Sequence, residues 1–172
     1  MSKLINIAFF ILTWCLCVLF GNGGAVVALI LLCCYLFSKI DKPIELKIVF
    51  YLGMMGVVLA QVLGFLDVYR FYGRSHLIAF WLIVLWFCFA TTINCALHFL
   101  QKRPLIFSAI LGAICAPAIY IAMEALNPQL LSYPKGAKET GVILFVVWFF
   151  WLPLLMTVAR KMIRQHHRDQ EK

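Results

Sequence analysis

Charged side chains are scarce in this chain of 172 residues. Asp, Glu, Lys and Arg together make up 13% of the sequence, whereas 65% of the residues are hydrophobic and the mean hydropathy is +0.97. A soluble domain carries nearer a quarter charged residues, because its surface must face water. The composition therefore excludes an ordinary soluble globule, and the length predicts one domain over residues 1–172.

The sequence also lacks the motifs of familiar chemistry. It has no P-loop, no nucleophile elbow, no zinc-protease motif and no set of histidine boxes. All seven cysteines lie in apolar runs without a Cys-x-x-Cys pair, where thiols act as small packing groups. We therefore expect no cofactor, no metal site and no catalytic residue that the sequence can identify.

Long apolar runs are what the sequence has in abundance. A helix needs about 20 apolar residues to cross about 30 Å of hydrocarbon. Six segments approach this length: 4–20, 25–37, 46–66, 77–100, 105–123 and 142–159. Because a backbone in lipid must satisfy its own hydrogen bonds, the predicted fold class is all-α, a polytopic transmembrane helical bundle of about six spans. The second segment is short, so five spans plus a re-entrant hairpin within residues 4–38 is the alternative.

Basic residues set the expected orientation. Eleven of the 15 lysines and arginines flank one set of connections and four flank the other. Such an excess lies on the cytoplasmic side of membrane proteins. The distribution predicts cytoplasmic N- and C-termini and a short basic tail at about residues 160–172. It explains the net charge of +8 without a nucleic-acid partner.

Two carboxylates are expected at the outer membrane boundary. Asp67 follows the third apolar segment, and Glu124 lies one turn after Tyr120 in the fifth. Polar groups inside a bundle are costly, so each invites a functional interpretation. Asp67 forms a salt bridge with Arg70 or Arg74, caps the N-terminus of the segment that follows, or serves as an acid/base or proton-binding carboxylate.

A polar face is predicted on the fourth segment. Thr91, Asn94 and His98 have the spacing i, i+3 and i+7, which places them on one side of a continuous helix. Hydrogen bonding between helices and binding of a polar ligand head both fit this pattern. The ligand-binding candidates are thus Asp67, Thr91, Asn94, His98, Tyr120 and Glu124.

A family resemblance lies in the central block of the chain. The pattern Trp81…Trp86-x-x-Phe89-Ala90-Thr91-Thr92-x-Asn94 resembles a family of small, mainly proteobacterial inner-membrane proteins known only as a domain of unknown function. The resemblance covers about the whole chain and is most specific between residues 64 and 120. It implies a multi-pass protein of the bacterial inner (cytoplasmic) membrane and a link to membrane-lipid modification. The resemblance identifies no catalytic residue. Asp67 and Asn94 are the polar positions that match the pattern of the family.

The polar inventory is too sparse for most intramembrane chemistry, which favours a binding protein over an enzyme. We expect a helical bundle whose partners are membrane lipids, another membrane protein or a second copy of itself. One alternative is a membrane enzyme that acts on lipids through Asp67, Glu124 or His98. A small proton-coupled transporter is the other alternative.

Overall fold

The computed structural model describes residues 3–39, 42–71, 77–101 and 103–170, and helices dominate this part of the chain. Four of the helices are long and apolar enough to cross a membrane, as a membrane protein requires. The all-α class is thereby confirmed. The helices are α1 (Lys3–Phe37), α2 (Pro43–Phe65), α3 (Phe80–Asn94), α4 (His98–Gln101), α5 (Leu105–Leu126) and α6 (Ala137–Gln170). Two short strands are β1 (Arg70–Phe71) and β2 (Leu131–Ser132).

Helix α1 is a tight hairpin of two arms, residues 3–20 and 22–37. Gly21 separates the arms with φ 56° and ψ −132°, a backbone conformation that glycine adopts readily. The rings of Phe9 and Tyr35 stack with centroids 5.2 Å apart, which a straight helix could not allow. Gly24 lies so close to the Leu16 carbonyl that a Cβ would be 1.9 Å from its oxygen. The chain therefore reverses direction within the segment predicted to contain two helices.

Helix α3 is shorter than the predicted segment 77–100. The hydroxyls of Thr91 and Thr92 donate to carbonyls three residues earlier, at 2.7 Å each, and such bonds compete with the helical backbone. The helix ends at Asn94, and Gln101 Nε2 donates to the released Ile93 carbonyl at 3.1 Å. The prediction of one continuous helical face through His98 is therefore wrong, because His98 opens the separate helix α4.

Close approach at small residues holds the bundle together. A Cβ on Gly56 of α2 would lie 1.9 Å from Trp86 of α3, and one on Gly112 of α5 would lie 2.6 Å from the Trp148 carbonyl of α6. The Trp86 and Trp148 rings stack almost in parallel, with centroids 5.5 Å apart and an angle of 4°. These contacts place α3 against α2 and α5 against α6.

The two ends of the bundle differ in character. At one end, which we call the basic end, Arg160 of α6 donates through Nη2 to the carbonyls of Leu100 and Arg103 at 2.8 and 2.9 Å. Helix α6 continues to Gln170, so the predicted basic tail is helical as far as that residue.

At the other end, the capped end, β1 and β2 form an antiparallel pair. This pair joins the connection after α2 to the connection before α6, and the Thr140 hydroxyl donates to the Val68 carbonyl at 3.0 Å.

Candidate functional site

Asp67 lies at the capped end, just after the C-terminus of α2. It has a φ of 54°, in the left-handed region that Asp tolerates better than most residues. Its Oδ1 accepts a hydrogen bond from Arg70 Nε at 2.8 Å, and both side chains are about one-third exposed (38% and 33%). This hydrogen bond raises the pKa of Arg70 further. The structure thus contains the predicted ion pair, while ligand binding by Asp67 stays a prediction.

Tyr120 and Glu124 belong to an aromatic cap at the same end. The Tyr120 ring stacks on Tyr69 with centroids 5.6 Å apart, and the Tyr120 carbonyl accepts a hydrogen bond from the Tyr133 hydroxyl. Burial raises the pKa of Tyr69 and of Tyr133, and the Glu124 carboxylate raises that of Tyr133 further. Both phenols therefore stay neutral hydrogen-bond donors. Tyr69 donates to the Ala60 carbonyl at 3.1 Å, so the cap is tightly bonded.

An elongated cavity, which we call the apolar cleft, lies between the first arm of α1 and α5. Helices α3 and α6 form its floor, and its volume is about 300 Å³. Among the described residues, no polar atom faces this space. Its main lining residues are Ile7, Phe10 and Trp14 of α1, Leu85, Trp86 and Phe89 of α3, Leu111, Cys115, Ile119 and Tyr120 of α5, and Trp148 and Leu152 of α6. Tyr120 is the one candidate that lines it.

A second cavity, the basic pocket, opens at the basic end with a volume of about 290 Å³. Both arms of α1, the start of α2 and the end of α3 enclose it. Its lining residues are Lys3, Tyr35, Leu36, Lys39, Lys42, Glu45, Leu46, Val49, Thr91, Asn94, Cys95 and His98. The structure therefore brings Thr91, Asn94 and His98 to one cavity, although the helix that was expected to align them is broken.

The three candidates in the basic pocket differ in how far their polar atoms are already used. Thr91 Oγ1 accepts a hydrogen bond from the buried Asn6 Nδ2 at 3.2 Å and donates to the Cys88 carbonyl, so it joins α1 to α3. Asn94 Oδ1 faces Gln101 Nε2 at 3.5 Å, which leaves its amide hydrogens as donors. Thr91 thus performs the predicted interhelical bonding, and Asn94 and His98 form a polar wall.

The six candidates do not form one site. Helix α2 has 23 residues and a length of about 34 Å; Lys42 of the basic pocket precedes it and Asp67 follows it. Asp67 and Glu124 therefore lie far from His98. Within the described ranges, no group of His, Cys, Asp and Glu side chains is arranged to hold a metal ion.

Sequence reasoning missed the lysines of the basic pocket and most of the apolar cleft. Lys3, Lys39 and Lys42 were interpreted only as indicators of orientation. The spacing of Lys42 and Glu45, i and i+3 at a helix start, was a usable local signal for the ion pair that forms there. The sequence contains no such local signal for the apolar cleft, because a cavity forms where packed helices leave a gap between them.

Comparison with known protein families identifies a relationship for this chain. A family model described as a protein of unknown function (DUF2878) matches residues 3–154. Neither the curated proteins nor the solved structures contain a significant match. The match confirms the resemblance to a domain of unknown function, and it covers most of the chain. The protein accordingly belongs to the DUF2878 family of proteins of unknown function.

Proposed function

We propose that this protein is a lipid-binding bundle of the bacterial inner membrane that holds an acyl chain in the apolar cleft and supports membrane-lipid modification. The cleft is the observation that carries the proposal. It follows α5 from Leu111 to Met123, about 18 Å at helical rise, and so has the elongated form of a hydrocarbon chain. Ligand sites begin at about this volume, 300 Å³.

The chemistry of the lining favours hydrocarbon over a polar ligand. The Thr92 hydroxyl is bonded to the Phe89 carbonyl at 2.7 Å, so it offers the cleft no free hydrogen. No polar atom of the described residues is accessible from the cleft, so a polar group placed there would lose its hydration, which costs several kcal/mol. Lipid tails are as apolar as the side chains, so the selectivity of such a cleft arises from shape and packing.

The topology that fits this proposal has six spans with both termini in the cytoplasm. The arms of α1, residues 3–20 and 22–37, are about 27 and 24 Å long at helical rise, close to the hydrocarbon thickness. Lys3 and Lys39 line the same pocket, so both arms end at the basic end. An excess of basic residues favours the cytoplasm for that end.

Thiol labelling separates six spans from a re-entrant hairpin. Gly23 is exposed next to the reversal, and a Cβ there would meet nothing within 4 Å, so Gly23→Cys should be accepted. Six spans predict labelling of this variant by an impermeant maleimide added outside intact cells, with the wild type as the control. Protection from outside, together with labelling after the membrane is dissolved, would favour the re-entrant hairpin.

The acyl-chain proposal is tested by crosslinking with a diazirine derivative of palmitic acid. Cys115 is exposed and lines the cleft, so Cys115→Trp should fill the space without disturbing the core. Ile114 is 60% exposed on the same helix and does not line the cleft, so Ile114→Trp is the matched control. We expect crosslinks to peptides that contain Phe10 and Ile119 in the wild type and in Ile114→Trp, and their loss in Cys115→Trp. Equal crosslinking in all three proteins would contradict the proposal.

A further inference from the structure

The basic pocket lies where both arms of α1 meet α2, α3 and α4, and it carries an excess of positive charge. Three of its described lining residues are lysines, Lys3, Lys39 and Lys42, and one is acidic, Glu45. Three lysines and one carboxylate thus line the pocket. Such an excess concentrates anions in a cavity whose walls are partly apolar.

The pairing within the pocket leaves part of this charge uncompensated. Glu45 Oε2 lies 3.0 Å from Lys39 Nζ, and Glu45 Oε1 lies 3.7 Å from Lys42 Nζ. The Glu45 carboxylate is therefore shared by two lysines. Lys3 adds a third positive charge to the lining of the basic pocket. The Lys39 side chain is only 13% exposed, which keeps its ammonium group near the pocket and weakly screened.

Two polar side chains complete a wall suited to an oxyanion. Asn94 contributes amide hydrogens, because its oxygen already faces Gln101. His98 lines the same wall from the first turn of α4. Ammonium groups and an amide donor around one cavity are the features that bind phosphate oxygens. Basic pockets between transmembrane helices on the cytoplasmic side are known to bind anionic headgroups.

We infer that the basic pocket is a binding site for a phosphate group, supplied either by the headgroup of an anionic lipid or by a soluble phosphate ester. Lys39 and Lys42 provide the principal charge, and Asn94 provides hydrogen bonds. This site is separate from the apolar cleft, since α3 presents Thr91 and Asn94 to the pocket and Phe89 and Thr92 to the cleft. The inference therefore goes beyond acyl-chain binding and does not depend on it.

The test compares two pairs of charge-removing substitutions in the full-length protein in detergent. Lys39→Gln with Lys42→Gln removes two charges from the pocket. Lys47→Gln with Lys161→Gln removes two charges from exposed positions outside its lining and is the matched control. Thermal unfolding checks that both proteins fold. Lys42→Gln alone is a further variant, because this side chain is 61% exposed and its replacement should leave the fold intact.

Three probes distinguish the source of the phosphate: phosphatidic acid, glycerol 3-phosphate and inorganic phosphate, with diacylglycerol as the uncharged control. We expect binding of phosphatidic acid to weaken about 30-fold in the pocket pair and about 5-fold in Lys42→Gln alone, with no change in the control pair. Binding of phosphatidic acid alone identifies a lipid headgroup, and binding of the two soluble probes as well identifies a soluble ester. The inference is overturned if no probe binds, if diacylglycerol binds equally well, or if both pairs lose the same affinity. Cys115→Trp should retain phosphate binding, so failure of the cleft proposal and failure of this inference give different results.

Discussion

Replacement of Gly56 by alanine should destabilise the bundle at its tightest contact between α2 and α3. The new Cβ would lie 1.9 Å from Trp86 Cε3 and 2.2 Å from Cδ2, so the indole must move. Trp86 is 4% exposed and stacked on Trp148, which in turn packs against Gly112. Any shift of the ring therefore breaks its stacking on Trp148 or moves it into the apolar cleft, which it lines.

The expected change in the free energy of unfolding combines two opposing effects. Overpacking in a well-packed interior costs up to about 3 kcal/mol. Alanine stabilises a helix by about 1 kcal/mol relative to glycine. We expect Gly56→Ala to lower the free energy of unfolding by about 2 kcal/mol. Gly23→Ala, where the Cβ meets nothing within 4 Å, should raise it by up to about 1 kcal/mol.

The assay is unfolding in mixed micelles with increasing dodecyl sulfate, followed by circular dichroism. A double variant, Gly56→Ala with Trp86→Leu, isolates the contact, because the smaller side chain removes the clash. Its destabilisation should be smaller than the sum of the two single effects by up to about 3 kcal/mol, the overpacking cost that the smaller side chain relieves. The reasoning would be refuted if Gly56→Ala and Gly23→Ala changed the free energy of unfolding equally, or if the double variant were additive.

Two further substitutions test the ends of the bundle. Arg160→Gln removes the hydrogen bonds to the carbonyls of Leu100 and Arg103 and should lower the free energy of unfolding by about 2 kcal/mol. Arg164 is exposed, so Arg164→Gln should change it by almost nothing. Equal effects of the two substitutions would contradict a stabilising role for the Arg160 hydrogen bonds. Asp67→Asn should cost less than about 1 kcal/mol, because the ion pair is partly exposed and Asn tolerates the left-handed backbone, and lipid crosslinking should be unchanged. A lipid phenotype that Asp67→Asn abolishes at normal abundance would instead favour the enzymatic alternative.

The helices were predictable because their cause is local. Long apolar runs become helices in a membrane whatever their neighbours do, and the glycines at 21–24 indicated the reversal within α1. The end of α3 was missed for a local reason as well: Thr91 and Thr92 bond back to the helix, yet the apolar run continues past them. Amino-acid composition alone does not reveal that threonine hydroxyls compete for the hydrogen bonds of the helical backbone.

The candidate sites were less predictable because they depend on long-range packing. Arg70 and Ser132 pair across the two connections at the capped end, although 61 other residues separate them in the chain. Lys39 and Lys42 indicated orientation in the sequence, and only the meeting of α1, α2 and α3 makes them walls of a pocket. Asn94 and His98 were chosen as candidates because a continuous helix would place them on one face, but that helix ends at Asn94. A turn at residues 95–97 nevertheless brings both side chains to one cavity.

The central claim, that the apolar cleft holds an acyl chain, is tested most directly by an electron-microscopy map of the protein in a bilayer disc of bacterial lipids. The account predicts a continuous tube of density that lies between Phe10 and Cys115 and contacts Phe89. A map in which α1 closes against α5, with their side chains filling the space, would contradict it.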